Sequence, residues 1–258
     1  MKKNGKLSGK MTFQAWAEYW MKNTEGFRTM TTDAKYQEIL RSALMPAFSE
    51  TPLEEITEEG VMRFFAEEKE GGRSVARMTQ MLTVLAASLT GAVNHNLIPR
   101  NPCANLKLPR RIRQECAILT DEDIRNLAKE HAGTPWLPMI LIMLFLGLRV
   151  GEAIGLDWEK VDMDRREARI DQQCVSYYDG QRTRTKLVPY TKNGVIRTLP
   201  LCDAAMEYLR EIRDRTAEHR GPVFREGGER VKYASFYYAF NKLMAAIGAQ
   251  GTNAFTSN

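Results

Sequence analysis

Histidine and cysteine are scarce in this chain of 258 residues, three of one and four of the other, and each scarcity excludes a class of chemistry. Cys103, Cys116, Cys174 and Cys202 are too scattered for a Cys-x-x-Cys metal site and too few to staple a chain of this length. They are expected as reduced thiols of a cytoplasmic protein. His95, His131 and His219 fall in no motif and are expected to be ordinary surface or cap histidines. The opening MKKNGKLSGK is basic but has no apolar segment behind it, which argues against a secretory signal and leaves a basic N-terminal tail over residues 1–11. The thirteen uncharged residues from Trp136 to Leu148 are too few to span a bilayer and are expected as a helix in a soluble core. There is no internal repeat and no low-complexity tract.

What is present suits two modest units. The chain is 43% hydrophobic, ample for a core, and its formal charge of +5 points toward a polyanionic partner. From Thr12, the spacing of Phe13, Trp16, Ala17, Trp20 and Met21 predicts a helix. A second is expected over Thr32–Leu44, closed by Pro46. Thr57 caps a third, with Glu58 and Glu59 in its first turn and Val61, Phe64 and Phe65 inward. Ser74 caps the fourth and longest, where Val75, Met78, Leu82, Leu85, Ala86, Leu89 and Val93 form a seam toward Asn96. These four helices make a bundle over residues 12–106. Eight glutamates between Glu50 and Glu70 would repel DNA and are expected to face solvent. Pro99-Arg100-Asn101-Pro102 breaks the last helix, and Lys107, Arg110, Arg111 and Arg113 follow in an extended basic linker over residues 107–117, either a solvated hinge or a strap along a phosphate backbone.

The second unit, residues 118–258, opens with Thr120 and Asp123 at capping-box spacing. Beyond Trp158 the period changes to two: Ala168, Ile170, Gln172, Cys174 and Ser176 alternate as in a strand. Asn193-Gly194 predicts a two-residue hairpin turn with Val195–Leu201 returning, which puts Lys192 at a hairpin tip. Helices are expected again at Asp203–Ala217 and Tyr233–Ile247. The fold class is therefore mainly α, a helical bundle followed by an α-rich unit with a small antiparallel sheet.

Within that unit Arg149 stands at the lip of the apolar helix. Removing a guanidinium from water costs several kcal/mol unless a carboxylate or a bound anion takes its donors. Glu152, one turn on, fits as the carboxylate. Gly147 is expected to end the apolar helix and Val150 to start another, so that Arg149 lies beside backbone N–H groups where a phosphate is welcome. A structural ion pair and a phosphate site both satisfy these residues.

Leu119-Thr120 before an acidic helix, Gly147-Leu148-Arg149-Val150-Gly151-Glu152, and Thr191-Lys192-Asn193-Gly194 before Arg197-Thr198-Leu199-Pro200-Leu201 together resemble the tyrosine recombinases, the phage-type integrases. The upstream bundle, ending in Leu97-Ile98-Pro99-Arg100-Asn101-Pro102, resembles their SAM-like core-binding domain. The resemblance implies a site-specific recombinase that cuts double-stranded DNA through a 3′-phosphotyrosyl link, with no metal and no small-molecule cofactor, away from any membrane and self-associating on DNA. It implies Arg149 on the non-bridging phosphate oxygens, Lys192 as general acid for the leaving 5′-oxygen, and Glu152 holding Arg149. Lys107, Arg110, Arg111 and Arg113 are the DNA-binding candidates.

The sequence departs from the family where the site should be completed. A His-x-x-Arg motif, a later His or Trp and the nucleophilic tyrosine are expected after the helix near Gly248. If Phe255 falls in register with the histidine and Asn258 with the arginine, both chemical groups are wrong, while Tyr233, Tyr237 and Tyr238 precede the motif and are expected to pack. The resemblance thus implies a catalytic domain incomplete at its C-terminus that binds DNA without cleaving, or alternatively a non-catalytic decoy or regulator of a full-length integrase. An all-α interaction protein with no nucleic-acid role is the third reading, which salt-dependent DNA binding would exclude. Later segments cover the last helix in the family, so the aromatic face over Tyr233–Ile247 is expected to be partly exposed.

Overall fold

The computed structural model describes residues 11–109, 119–130, 133–178, 181–216 and 219–248. They fall into two compact units, the first of residues up to 113 and the second, Tyr178 apart, of those after it, and hydroxyl caps set most of the helix starts in the first. The Thr12 hydroxyl accepts the Ala15 N–H and opens α1 (Phe13–Asn23). Thr29 accepts the Thr32 N–H and opens α2 (Met30–Ile39). A wide π turn over Leu40–Leu44 then leads into α3 (Met45–Phe48). Thr57 and Ser74 cap α4 (Glu58–Glu70) and α5 (Val75–Asn94) through the Gly60 and Arg77 amides, each satisfying one donor that a helix start leaves open.

Two of the sequence expectations change here. The second helix begins at Met30, capped by Thr29, rather than at Thr32, and its helical path runs through Pro46 to Phe48 instead of stopping at the proline. The Met45 N–H donates to the Leu40 carbonyl five residues back. That widened turn delivers Pro46 to the opening of a fresh helical segment, where its missing N–H costs nothing. The seam on α5 is also wider than expected: Met78, Leu85 and Leu89 are fully buried, but so are Met81, Val84, Ser88 and Ala92, while Leu82, Ala86 and Val93 lie at the margin. The cause is position, since α1, α2, α4 and the π turn all pack against α5. Trp16 donates its indole N–H to the Ser88 carbonyl at 3.0 Å. Of the eight glutamates between Glu50 and Glu70, seven are exposed and Glu68 is half-buried. α5 ends before Pro99: Asn96 adopts φ +57°, and the Leu97 N–H returns to the Ala92 carbonyl, closing the helix as an αL residue does.

In the second unit the expected capping box is present. The Thr120 hydroxyl accepts the Asp123 N–H at 3.1 Å, and Asp123 Oδ2 accepts the Thr120 N–H at 2.8 Å, opening α6 (Asp121–Glu130). α7 (Leu137–Leu146) buries eight of its ten residues, and α8 (Val150–Gly155) follows it after Gly147. Then come β1 (Val161–Asp162), β2 (Glu167–Ile170), β3 (Gln173–Tyr178), β4 (Thr183–Val188) and β5 (Arg197–Pro200). α9 (Asp203–Thr216), β6 (Arg225–Glu226), β7 (Glu229–Arg230) and α10 (Tyr233–Ala246) complete the order. β1, β2 and β5 form one antiparallel sheet in that order, β3 pairs with β4, and β6 with β7. The two-residue strands β1, β6 and β7 are too short to carry a period that a sequence could show. No helix among the described residues is long and apolar enough to cross a membrane.

The single strand expected through Ala168 and Ser176 is two. Asp171 accepts from Lys160 and Arg169 at 2.7 and 2.8 Å, and Gln172 donates to the Gly155 carbonyl and Asp157 at 2.7 and 2.8 Å. These side-chain anchors turn the chain out of the first ladder, so β2 ends at Ile170 and β3 starts at Gln173. The hairpin at Asn193-Gly194 is also corrected. A tight turn exists, with Gly194 at φ +70° and its N–H on the Thr191 carbonyl, but the strand after it, β5, pairs with β2 in the register Ile170↔Arg197 to Glu167↔Pro200. Lys192 therefore sits in the turn of a crossing connection, not at the tip of a two-stranded hairpin. The aromatic face of α10 is buried at Phe236, Phe240, Leu243 and Met244 and half-buried at Tyr233, Tyr237 and Ile247, with Tyr238 outside at 75% exposure.

Leu85 is fully buried at the centre of the first unit, so Leu85→Ala is expected to destabilise that unit by about 2–5 kcal/mol through lost transfer energy and the cavity left behind. Calorimetry of the whole chain should show one transition shifted down and the transition of the second unit unmoved.

Candidate functional site

Two short-range features of the backbone deliver Arg149. α7 carries no polar side chain and buries all but Leu144 and Phe145, so it needs a sharp exit. Gly147 supplies it at φ +59° and ψ 36°, with the Leu148 N–H returning to the Met143 carbonyl at 3.0 Å, a helix end that any residue with a Cβ would strain. Leu148 is buried, and Arg149 follows in extended backbone (φ −71°, ψ 152°) at the N-cap of α8. An arginine has no acceptor atom to cap with. The capping comes from the other direction, as Glu152 Oε2 accepts the Arg149 backbone N–H at 2.9 Å.

Glu152 is 1% exposed and accepts three further hydrogen bonds. Arg149 Nη1 donates to Oε1 at 3.0 Å, Arg197 Nη1 to Oε1 at 3.0 Å, and Arg197 Nη2 to Oε2 at 2.7 Å. Both carboxylate oxygens are thus doubly bonded, one guanidinium engaging them as a fork and the other through a single nitrogen. Burial alone pushes the Glu152 carboxyl up, but the bonds from Arg197 and from Arg149 outweigh it and hold it below the ordinary carboxylate range. The same fork raises the Arg197 guanidinium. The arginine side chains keep a solvent-facing edge, 34% exposed for Arg149 and 27% for Arg197. Arg149 Nε and Nη2 make no hydrogen bond among the described residues.

α8 is pinned along its length. A Cβ on Gly151 would lie 2.5 Å from the Tyr233 hydroxyl and 2.6 Å from the Cys174 carbonyl, and one on Gly155 would lie 2.8 Å from Gln173 Cα. These two glycines, one turn apart, let β3 lie directly on the helix backbone. Tyr233 donates to the Cys174 carbonyl at 2.6 Å, and its burial pushes the phenol well up, so it stays neutral. At the far end Arg230 donates to the Ile154 carbonyl and to Asp157, both at 2.7 Å, and Gln172 donates to the Gly155 carbonyl. Carbonyls that a helix end leaves open are thereby satisfied by a cation and an amide.

Of the residues named from sequence, Arg149 and Glu152 are brought together as expected. Lys192 is exposed and lies in the turn closed by Thr191, itself buried and donating through its hydroxyl to the Val195 carbonyl at 2.9 Å. Five residues separate it from Arg197, so its backbone stays within about 18 Å of the Arg197 Cα. Lys107 belongs to the first unit and is exposed. Arg110, Arg111, Arg113, Phe255 and Asn258 lie outside the described residues. Tyr233 and Tyr237 pack with ring centroids 6.3 Å apart, as expected of them, while Tyr238 does not. No group of three or more His, Cys, Asp or Glu among the described residues is placed to hold a metal ion.

Arg197 is the residue that sequence reasoning passes over. A signal for it exists. A buried carboxylate has about four acceptor positions and Arg149 fills only two, so a second cation is required. Arg197 and Leu199 share the inward parity of β5.

A family model described as the phage integrase family matches residues 118–258, and one described as the phage integrase N-terminal SAM-like domain matches residues 12–67. Among curated proteins, the chain is 26% identical over 172 residues to a tyrosine recombinase XerC-like protein of Caldanaerobacter subterraneus subsp. tengcongensis, covering 62% of this chain and 44% of that protein. It is 23% identical over 204 residues to the ICEBs1 integrase of Bacillus subtilis, covering 78% and 53%. The chain spans about half the length of these relatives. Among solved structures, the Tn1549 transposon integrase in complex with circular intermediate DNA matches with a TM-score of 0.78 at 16% identity, over 93% of this chain and 79% of that one. A lambda integrase dimer bound to a core site matches with a TM-score of 0.75 at 16% identity, over 92% and 79%. At such identities the likeness is one of fold.

Because the folded-state carboxyl of Glu152 is depressed, it contributes stability that is present above the unfolded glutamate value of about 4.3 and is lost as pH falls through the lower folded value. Glu152→Gln is expected to flatten that part of the acid limb, read as unfolding free energy against pH. Gly155→Ala meets backbone rather than a flexible side chain and is expected to cost about 1–3 kcal/mol by denaturant unfolding.

Proposed function

This chain belongs to the phage integrase family, the tyrosine recombinases, and we propose that its 258 residues bind duplex DNA and grip a backbone phosphate between Arg149 and Lys192. The observation that carries the reading is the buried Glu152 carboxylate, which fixes Arg149 by its backbone and by one guanidinium nitrogen while leaving Nε and Nη2 uncommitted. A planar fork held from behind suits two non-bridging oxygens on one phosphorus, where negative charge spreads during strand transfer. Lys192, carried on the turn before β5, is the group that would protonate a leaving 5′-oxygen where a strand is cut. Lys107, Arg110, Arg111 and Arg113 lie along the phosphate backbone as a strap and account for affinity rather than sequence choice. The Tn1549 and lambda integrase structures are of DNA complexes, some dimeric or tetrameric. Pairing of this chain with copies of itself on DNA belongs to the same proposal.

The cleavage step itself asks for groups these residues do not place. Phe255 and Asn258 stand in register with the family's histidine and second arginine, and neither side chain does that work. Tyr233 is buried and hydrogen-bonded to backbone, and Tyr237 packs against it. The 258 residues by themselves therefore hold a site and leave the strand intact, as a decoy would. Groups of a catalytic set act as a unit, so supplying only part of it gives little turnover.

Binding of a fluorescent duplex, followed by anisotropy across a salt series, is expected to weaken steeply with salt. Neutralising Lys107, Arg110, Arg111 and Arg113 together should reduce the log–log slope by up to about 0.9 for each phosphate that is no longer neutralised, and Arg149→Gln by about as much again. Incubation with a nicked suicide duplex should give no covalent band on a denaturing gel. An adduct there would overturn the non-cleaving reading, and salt-independent binding the DNA reading.

A further inference from the structure

We infer that Arg197 is a positioning residue whose charge releases Arg149 for phosphate: it takes up the Glu152 carboxylate, so the cluster of two guanidiniums and one carboxylate keeps one positive charge on the arginine that faces the DNA. This rests on the phosphate-gripping reading of Arg149.

The geometry divides the carboxylate unequally. Arg197 meets both oxygens with both terminal nitrogens, at 3.0 and 2.7 Å, whereas Arg149 gives one side-chain bond at 3.0 Å. A two-bond fork on a buried carboxylate is the stronger and more directional partner. If Arg149 were the sole cation, a carboxylate with almost no solvent contact would draw the whole Arg149 fork inward, since an undercompensated buried charge costs several kcal/mol. The pair would then be neutral, and phosphate would find no net charge. With Arg197 present, only Nη1 of the Arg149 guanidinium bonds Glu152, and Nε and Nη2 make no hydrogen bond among the described residues. The source of Arg197 suits this work: β5 is locked to β2 by antiparallel pairing from Arg197 to Pro200, so its fork approaches Glu152 from a rigid strand. The same strand carries the Lys192 turn five residues upstream, so one residue both frees the first cation and tethers the second.

The inference separates Arg197 from two other roles, a DNA contact of its own and a mere strut. The test uses the 258-residue chain with a fluorescent duplex across a salt series, together with the melting temperature of each variant. Arg197→Gln is expected to weaken binding at low salt about tenfold, as far as Arg149→Gln does, and to lower the salt slope by about 0.9. Arg197→Lys keeps the charge and should bind within about threefold of the unaltered chain despite a lower melting temperature. The decisive variant is the double substitution Glu152→Gln with Arg197→Gln, which restores one net positive charge. It should recover most of the slope and bind several-fold more tightly than Arg197→Gln. A double variant that melts as a folded protein yet binds as weakly as Arg197→Gln overturns the inference, and so does an Arg197→Gln chain that binds as the unaltered one does. Should Arg197→Gln alone not fold, the Arg197→Lys and double variants decide, because both must keep the slope. Absence of salt-dependent binding in the unaltered chain sinks the DNA reading and this inference with it, whereas intact binding with an unaffected Arg197→Gln sinks this inference alone.

Discussion

A carboxylate removed from water sets the terms for the second unit. Glu152 is held on a six-residue helix whose every residue is buried, and an ionised group there is tolerable only with its acceptor positions filled. Four donors fill them, one from the backbone and three from two guanidiniums. Meeting that requirement forces elements far apart in sequence to converge: the exit from α7 must place Arg149, and β5 must be registered on β2 so that Arg197 arrives at the same point. The cations that satisfy the carboxylate lie partly in solvent, so the arrangement turns an internal constraint into an outward-facing positive edge.

So short a helix has little stability of its own, since nucleating a turn costs more than its few bonds return. α8 persists because its surroundings over-determine it. Gly151 and Gly155 admit β3 to backbone contact, Tyr233 hydrogen-bonds across that contact, and Arg230 and Gln172 take the last carbonyls. Asp157 then ties these anchors together, accepting from both Arg230 and Gln172. The two glycines thus have a packing role that the motif Gly-Leu-Arg-x-Gly-Glu does not state. Rigidity at the site comes from this wrapping, which is also what holds a guanidinium edge at fixed orientation.

Local chemistry is legible in the sequence wherever one or two residues decide the outcome. Caps at Thr57, Ser74 and Thr120, the helix exit at Gly147 and the restart at Val150 are all decided within four residues, and all stand in the structure. The failures involve partners distant in sequence or compensations invisible locally. Pro46 reads as a helix stop, yet a π turn upstream absorbs it. Alternation from Ala168 to Ser176 reads as one strand, but Lys160, Gly155 and Asp157 bend it through side-chain bonds. Asn193-Gly194 specifies a turn and not the partner of the strand that follows, so it points β5 to the wrong ladder. Arg197 escapes notice for the same reason, because its significance depends on which strand β5 pairs with.

That pairing also explains how a limited stretch of chain can close the ion cluster around Glu152. Every donor to Glu152 comes from residues 149–197, and the supports of α8 come from that stretch with Arg230 and Tyr233 added. Among the described residues, the network holding Arg149 therefore closes within the stretch from Arg149 to Tyr233. The ion cluster is thus a property of the fold from α7 to α10: a buried carboxylate sets the orientation of Arg149 through the backbone N–H and one guanidinium nitrogen, and the strand pairing of β5 on β2 delivers the second guanidinium that completes it.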